Sequence, residues 1–221
     1  MRTLTETLKS FKPQALKIGL VLLWFYQSFD AGLTHLLEGF FRSPDGTPNW
    51  VWFVVLFSVF VNLIFPLMIS YWLLVQFKKS HDWMDEFQQM IIESLRAWGR
   101  ILTWSFFLIL PGLYKWLTLT FVPYVVLFSK KYHAGEVDAL QHSQKLFRKC
   151  WWKVIPIVLI FSFLVPLFVT TQFDAYREIW VTPVGALLLG LTEFGFLILS
   201  LTLTFFIFRD SLREVNDELI F

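Results

Sequence analysis

The stretch of residues 101–128 constrains the fold most, because it is apolar almost throughout and is interrupted near its middle by Pro111 and Gly112. Basic residues stand on both sides of it, namely Arg96, Arg100, Lys130 and Lys131. A run of this length and composition is typical of the hydrocarbon interior of a bilayer. The way it enters and leaves the bilayer then fixes the side of the membrane on which every other loop lies.

The composition extends this expectation to the whole chain. Of its 221 residues, 56% are hydrophobic and only 16% are charged, and the mean hydropathy is +0.58. These values lie well outside the range of soluble globular domains. Several runs approach or exceed the roughly 20 apolar residues needed to cross a hydrocarbon core of about 30 Å. We therefore predict one polytopic all-α membrane domain over residues 1–221.

Charge, cysteine and histidine usage exclude several classes of site. The net charge of +2 is too small to indicate a nucleic-acid partner, and Cys150, the only cysteine, excludes an intramolecular disulfide and a cysteine-based metal cluster. The four histidines lack metal-ligand spacing, and we interpret them as ordinary loop and interfacial residues: His35, His81, His133 and His142. We expect neither a metal nor another cofactor.

Four further apolar runs predict membrane spans, over about 15–41, 50–77, 151–171 and 180–208. The segment 80–98 carries apolar residues at helical spacing, and 135–149 begins with acids and ends with bases, as the helix dipole favours. Both are predicted to be amphipathic helices on the cytoplasmic side. The tail from residue 209 is expected to remain helical, with Leu212, Val215 and Leu219 on one face.

The central stretch is predicted to form a hairpin with its turn at Pro111 and Gly112. If the stretch crossed once, one of its strongly basic flanking loops would lie outside, against the positive-inside rule. Its arms, 101–110 and 116–128, reach only about 15–20 Å if helical, which is less than a full core. Either the arms recruit flanking residues such as 97–100, or the hairpin is re-entrant and stops within the membrane.

Counting the hairpin as two helices gives a bundle of about six transmembrane or re-entrant helices, with both termini cytoplasmic. Of the 19 Lys and Arg residues, all then lie on the cytoplasmic side except Arg42, Lys115 and Arg177. This distribution is the one the positive-inside rule favours.

Three short motifs carry a family resemblance. They are Pro111-Gly112-Leu113-Tyr114, then Val122-Pro123, then Asp138-Ala139-Leu140-x-x-Ser143-x-x-Leu146. Over residues 108–152 the chain resembles uncharacterised bacterial YciC-like polytopic inner-membrane proteins, and it is similar to the membrane domain attached to some glycerophosphoryl diester phosphodiesterases. It departs from them in having Ser129-Lys130-Lys131 where those families often have Glu, and in having no phosphodiesterase domain. The resemblance implies a multi-pass protein of the bacterial inner membrane and no particular activity.

Glu193 is the candidate functional residue, since it lies 13 residues after Trp180, about 19 Å along a helix and near the predicted midplane. Asn62 has a similar depth, and Lys115 reaches that layer if the hairpin is re-entrant. With Thr192, these residues are predicted to form a buried polar cluster. The cluster could lock the bundle, conduct an ion or a proton, or contact the charged helix of a partner.

Basic residues near the predicted cytoplasmic surface could hold anionic lipid headgroups or act only as a topology signal: Lys130, Lys131, Lys149 and Lys153. No nucleophile-base pair, phosphate loop or paired catalytic carboxylates can be found. We therefore expect a non-catalytic scaffold or accessory subunit of a membrane complex, whose partners are membrane lipid and another membrane protein or a second copy. The alternative is a small transporter, channel or lipid-binding protein that uses the cluster around Glu193.

Overall fold

A computed structural model of the chain describes residues 13–41, 48–77, 83–165, 167–168, 171 and 183–219. These residues are helical apart from short turns, and they contain no β-strand beyond an isolated bridge between Ser129 and Leu219. The prediction of an all-α protein is therefore confirmed for the described part of the chain.

The elements follow one another in a simple order. They are α1 (Pro13–Phe41), α2 (Asn49–Phe77), α3 (Trp83–Phe107), α4 (Ile109–Thr118), α5 (Val122–Phe128), α6 (Lys130–His133), α7 (Ala139–Leu159), a π-helical turn (Ile160–Leu164) and α8 (Pro183–Glu214). The described residues form two compact units. Unit 1 contains residues 71–77, 83–165 and 199–219, and unit 2 contains 13–41, 48–70, 167–168, 171 and 183–198.

Two described stretches are long and apolar enough to cross a membrane. They are Ile109–Phe128, with a mean hydropathy of 1.3, and Phe194–Glu214, with a mean hydropathy of 1.5. The first contains α4 and α5 and the turn between them, and the second lies within α8. The bundle of about six membrane helices stays a prediction.

Unit 2 contains α1 and the part of α2 up to Ser70, which run antiparallel. The rings of Tyr26 and Phe65 stack with centroids 5.1 Å apart, and Phe40 meets Trp50 edge to face at 4.9 Å. The later residue of α1 thus contacts the earlier residue of α2, so the two helices run antiparallel, as expected for the first two predicted spans. Aromatic pairs of this kind each contribute about 0.5–1.5 kcal/mol beyond their buried area.

Helix α5 forms the core of unit 1. All but one of its residues are buried, the exception being the half-buried Pro123. On one side Phe128 contacts Phe205 of α8 at 5.1 Å between ring centroids, and Tyr124 donates a hydrogen bond to the carbonyl of Leu201. A helix that is apolar all round and buried in this way is a core helix.

The chain reverses at Leu108, whose φ of −157° and ψ of 139° separate α3 from α4. Helix α4 packs back along α3, and Gly112 lies directly against Ser105. The predicted turn at Pro111 and Gly112 is therefore wrong by about three residues. Both residues lie in the first turn of α4, where proline is tolerated because the first N–H groups of a helix have no acceptor within the helix.

Three other boundaries also differ from expectation. Helix α3 runs without a break from the predicted amphipathic segment into the first hairpin arm, as far as Phe107. Helix α7 runs across the predicted boundary at 149–151 with only a kink at Cys150. The described part of the tail, up to Leu219, is not helical beyond Glu214, because Asn216 adopts a positive φ of 53°. Asparagine tolerates this left-handed conformation, which commonly ends a helix.

Candidate functional site

The structure distributes the predicted polar cluster over both units. Glu193 and Thr192 lie in α8 and Asn62 in α2, all within unit 2, whereas Lys115 lies in α4 of unit 1. The side chains of Glu193 and Asn62 lie outside the described residues. Thr192 is exposed and donates to the carbonyl of Leu188 in its own helix at 2.9 Å. The cluster therefore stays a prediction.

The Lys115 ammonium group lies over the Trp104 ring, 5.7 Å from its centroid. This contact joins the two helices of the hairpin, since Trp104 belongs to α3. A lysine over an indole face is a cation–π pair, which is worth about 0.5–1 kcal/mol where exposed. Lys115 therefore stabilises the hairpin by joining α4 to α3.

The four predicted headgroup residues have different surroundings. Lys130 forms an ion pair with Glu218 at 2.6 Å, and the Nζ of Lys131 donates to the Val215 carbonyl. Lys149 is exposed, and Lys153 lies over the Trp152 ring at 5.1 Å. Lys130 and Lys131 thus hold the C-terminal tail, while contact with headgroups stays a prediction for all four.

A buried polar cluster that the sequence did not indicate lies in unit 1. Ser129, His142 and Asp217 have exposed fractions of 0%, 2% and 6%. The Ser129 hydroxyl donates to Asp217 Oδ2 at 2.6 Å, and His142 Nε2 lies 2.9 Å from the same oxygen. We call these three residues the tail latch, because Asp217 follows α8 and the other two lie in the chain around α6 and α7.

Backbone groups complete the tail latch. Asp217 Oδ1 accepts from the N–H groups of Lys131 and Glu218, at 3.2 and 2.8 Å. A carboxylate oxygen only accepts, so His142 Nε2 donates in its contact with Asp217, and with Ser129 Oγ and the two N–H groups four donors converge on this carboxylate. The Ser129 oxygen in turn accepts from Tyr132 N and caps α6. Every member of the latch thus has a partner, as buried polar groups require.

Serine, histidine and aspartate are also the residues of a hydrolase triad, but their arrangement here differs. In a triad the serine hydroxyl donates to the imidazole, which accepts its proton. The Ser129 hydroxyl instead donates to the carboxylate, and the imidazole contacts that same carboxylate oxygen. This geometry fastens the tail to the core of unit 1, and it supplies no activated nucleophile.

A second polar junction lies where α7 begins. Asp138 caps α7 by accepting from the N–H groups of Leu140 and Gln141, and it pairs with Arg96 of α3 at 2.6 Å. Burial acts to raise the pKa of Asp138, but the hydrogen bonds from Gln141 and Arg96 outweigh this effect and lower its pKa below the usual value. This junction joins the start of α7 to the hairpin.

The interpretation of the histidines as loop and interfacial residues is wrong for His142, which is buried. His133 is exposed. The side chain of His35 and the whole of His81 lie outside what the structure describes. Burial is the main cause that lowers the pKa of His142, with smaller contributions from Lys131 and Lys145. The negative charge of Asp217 opposes this shift but does not reverse it. The imidazole is therefore neutral at pH 7.

The tail latch is predicted to weaken in acid. Below about pH 6.5 the imidazole of a released tail takes up a proton more readily than the imidazole in the latch. As the pH decreases, the free energy that holds the tail therefore falls by up to about 1.4 kcal/mol per pH unit. Amide exchange at Lys130, whose N–H donates to the Glu218 carbonyl, reports the attachment of the tail. After correction for intrinsic rates, its protection should decrease between about pH 7 and pH 5.

Two substitutions separate this effect from general acid destabilisation. His142→Gln retains a side-chain N–H donor but cannot titrate, so the dependence of Lys130 exchange on pH should flatten. His133→Gln alters an exposed histidine of α6 and should leave the dependence as it is. An unchanged pH profile in His142→Gln would assign the effect to another group.

The part of the chain that the structure describes is all-helical, its tail latch and the Asp138–Arg96 pair hold its own elements together, and it leaves large apolar side chains exposed. Comparison of the chain with family models, with curated proteins and with solved structures finds no match. The resemblance to YciC-like proteins stays a prediction.

Proposed function

We propose that this chain is a non-catalytic integral membrane protein that acts as a scaffold or accessory subunit of a membrane complex. The proposal depends on one observation above all: helices of both units expose large apolar side chains. Phe53 and Leu56 of α2 are 76% and 71% exposed, and Phe106 and Ile109 of the hairpin are 89% and 82% exposed. Contiguous apolar surface of this kind is covered by lipid or by protein in a working molecule.

Its proposed location is the bacterial inner membrane, with several passes and both termini cytoplasmic. The basic flanks of the apolar runs support this orientation through the positive-inside rule. Exposed Trp151 and Trp152, which follow Arg148 and Lys149 in α7, support it too, because tryptophan is enriched at membrane–water interfaces and basic residues on the cytoplasmic side.

A role in binding is favoured over catalysis by the tail latch. Its serine, histidine and aspartate are buried, and each is hydrogen-bonded within the latch. A partner would be recognised by apolar and aromatic side chains, which dominate the energetics of protein contacts. The partner proposed is thus another membrane protein.

Native mass spectrometry of the tagged protein, extracted from its own host in a mild detergent, tests the subunit role. We expect a complex with a second membrane protein in fixed stoichiometry, absent when an unrelated tagged membrane protein is extracted in the same way. A monomer or a homo-oligomer alone would overturn the subunit assignment. In that case Glu193→Gln, assayed for transport in vesicles, is the test of the transporter alternative.

A further inference from the structure

The tip of the α3–α4 hairpin is an uninterrupted run of exposed apolar side chains. The exposed fractions are 89% for Phe106, 73% for Phe107, 66% for Leu108, 82% for Ile109 and 77% for Leu110. No charged residue lies between Arg100 and Lys115 in the sequence. A tip with this composition has the chemistry of a segment that is covered by hydrocarbon.

The base of the hairpin has the opposite character. There Arg96 pairs with Asp138, and Gln89 Nε2 donates a hydrogen bond to the hydroxyl oxygen of Tyr132 at 3.1 Å. Arg96 lies twelve positions before Leu108 in a helical arm, so the ion pair and the tip are about 18 Å apart along the axis. The hairpin is thus polar at one end and apolar at the other.

The cation–π pair of Lys115 and Trp104 lies between these two ends. Trp104 precedes Leu108 by four residues and Lys115 follows it by seven, so the tip extends about 6–10 Å beyond the pair. Tryptophan and lysine are the residues that mark the level of the headgroups, where an indole ring and an ammonium group both find polar neighbours. The distance by which the tip extends beyond the pair is therefore less than the thickness of one leaflet of the hydrocarbon core, which is about 15 Å.

The one non-helical residue at the reversal, Leu108, meets the requirement of a lipid environment. A non-helical residue in hydrocarbon needs partners for both of its backbone polar groups. The N–H of Leu108 donates to the Trp104 carbonyl at 3.1 Å, and its own carbonyl accepts from Gly112 at 3.3 Å. Pro111 has no N–H, which removes one more of the unpaired donors that begin a helix.

We propose that the α3–α4 hairpin is re-entrant: it enters one leaflet of the bilayer from the side of the Arg96–Asp138 pair, and lipid acyl chains cover its tip. The hairpin does not cross. The second half of the candidate span Ile109–Phe128 supports this geometry, because α5 lies buried in the core of unit 1 instead of facing lipid. The proposal rests on the proposed membrane function. Lipid is the one molecule proposed to cover the hairpin tip.

Depth-dependent quenching of a fluorophore at residue 108 tests the proposal. Cys150, the only cysteine, is first replaced by serine, and Leu108→Cys, Leu56→Cys and Glu136→Cys are made in that background. All three sites are exposed, so the labels do not disturb packing. The labelled proteins are reconstituted in vesicles of phosphatidylethanolamine and phosphatidylglycerol, with nitroxide lipids as membrane quenchers and iodide as the aqueous quencher.

We expect the label at residue 108 to be quenched more strongly by nitroxides near the headgroup than by nitroxides near the chain end. Iodide quenching there should be about tenfold weaker than at residue 136, because hydrocarbon excludes ions. A label at residue 108 that iodide reaches, while the label at residue 56 stays protected, would overturn the re-entrant hairpin and leave the membrane function intact. Iodide access at both sites would overturn both proposals.

Two other outcomes also decide against the hairpin proposal. Protection of residue 108 from both quenchers would mean that protein covers the tip. Quenching only by iodide on the side of the vesicle opposite to residue 136 would mean that the hairpin crosses. Far-UV circular dichroism and thermal unfolding of the cysteine-free protein provide the control for folding, since a serine hydroxyl can replace the contact of the Cys150 thiol with the Leu146 carbonyl.

Discussion

Replacement of Asp217 by alanine is expected to lower the free energy of unfolding by about 3–5 kcal/mol, because it removes the common acceptor of the tail latch. Two side-chain donors and two backbone donors then lose their partner: Ser129 Oγ, His142 Nε2, Lys131 N and Glu218 N. Each buried donor without a partner costs about 1–3 kcal/mol, and access of water to a released tail recovers part of this sum. Denaturant unfolding in detergent measures the loss.

Asp210→Ala is the matched control. Asp210 lies in the last turns of α8, half-exposed, and its contact with the neighbouring Arg209 is long at 3.4 Å. Its removal should change the free energy of unfolding by no more than about 0.5 kcal/mol. Amide exchange at Lys130 should rise in Asp217→Ala and not in Asp210→Ala. If the two variants unfold alike, the tail is not held by the latch.

Replacement of Gly112 by alanine is expected to open the hairpin and to destabilise it by about 1–3 kcal/mol, because overpacking forces helices apart. A Cβ at this position would meet the Oγ of Ser105 and would lie 2.8 Å from the Cα of Ser105. The second contact involves backbone, so rotation of a side chain cannot relieve it. Thermal unfolding measures the cost, and the distance between spin labels on the two arms measures the opening.

Gly99→Ala provides a control in the same helix with the opposite expected sign. Nothing lies within 4 Å of a Cβ at Gly99. Alanine there should stabilise α3 by about 0.5–1 kcal/mol through its greater helix propensity. Ser105→Gly combined with Gly112→Ala should recover part of the loss, since it removes the serine side chain from the contact. No effect of Gly112→Ala would contradict the close approach of α3 and α4, and destabilisation by Gly99→Ala would contradict the open space beside Gly99.

Local pattern was enough to place two of the long helices, α1 and α2. Helices α1 and α2 begin and end within two residues of the predicted spans, because continuous apolar runs bounded by Pro13 and by a turn rich in Pro and Gly leave few alternatives. The hairpin was predicted from the charges on either side of it. Its turn was misplaced because Pro and Gly can mark either a turn or the first turn of a helix.

The tail latch could not be predicted in the same way. Ser129 and Asp217 lie 88 residues apart, and no periodicity in either segment relates them. His142 has the sequence neighbours of an amphipathic surface helix, whereas in the structure it is buried and contacts Asp217, which follows α8. The one local signal was Asn216, a common residue at the end of a helix, which indicates that the tail turns back.

The packing of α5 against the last part of α8 has a consequence for the synthesis of the chain on the ribosome. Its core joins α5 to the last part of α8, through Phe128 with Phe205 and Tyr124 with Phe208. A ribosome releases α8 long after α5, so α5 must wait without its partner while some seventy residues are added. During this interval a nascent chain exposes an apolar helix that is destined for a protein interior. We therefore expect chains that stall before α8 to be substrates of membrane quality-control proteases, with a half-life much shorter than that of the finished protein.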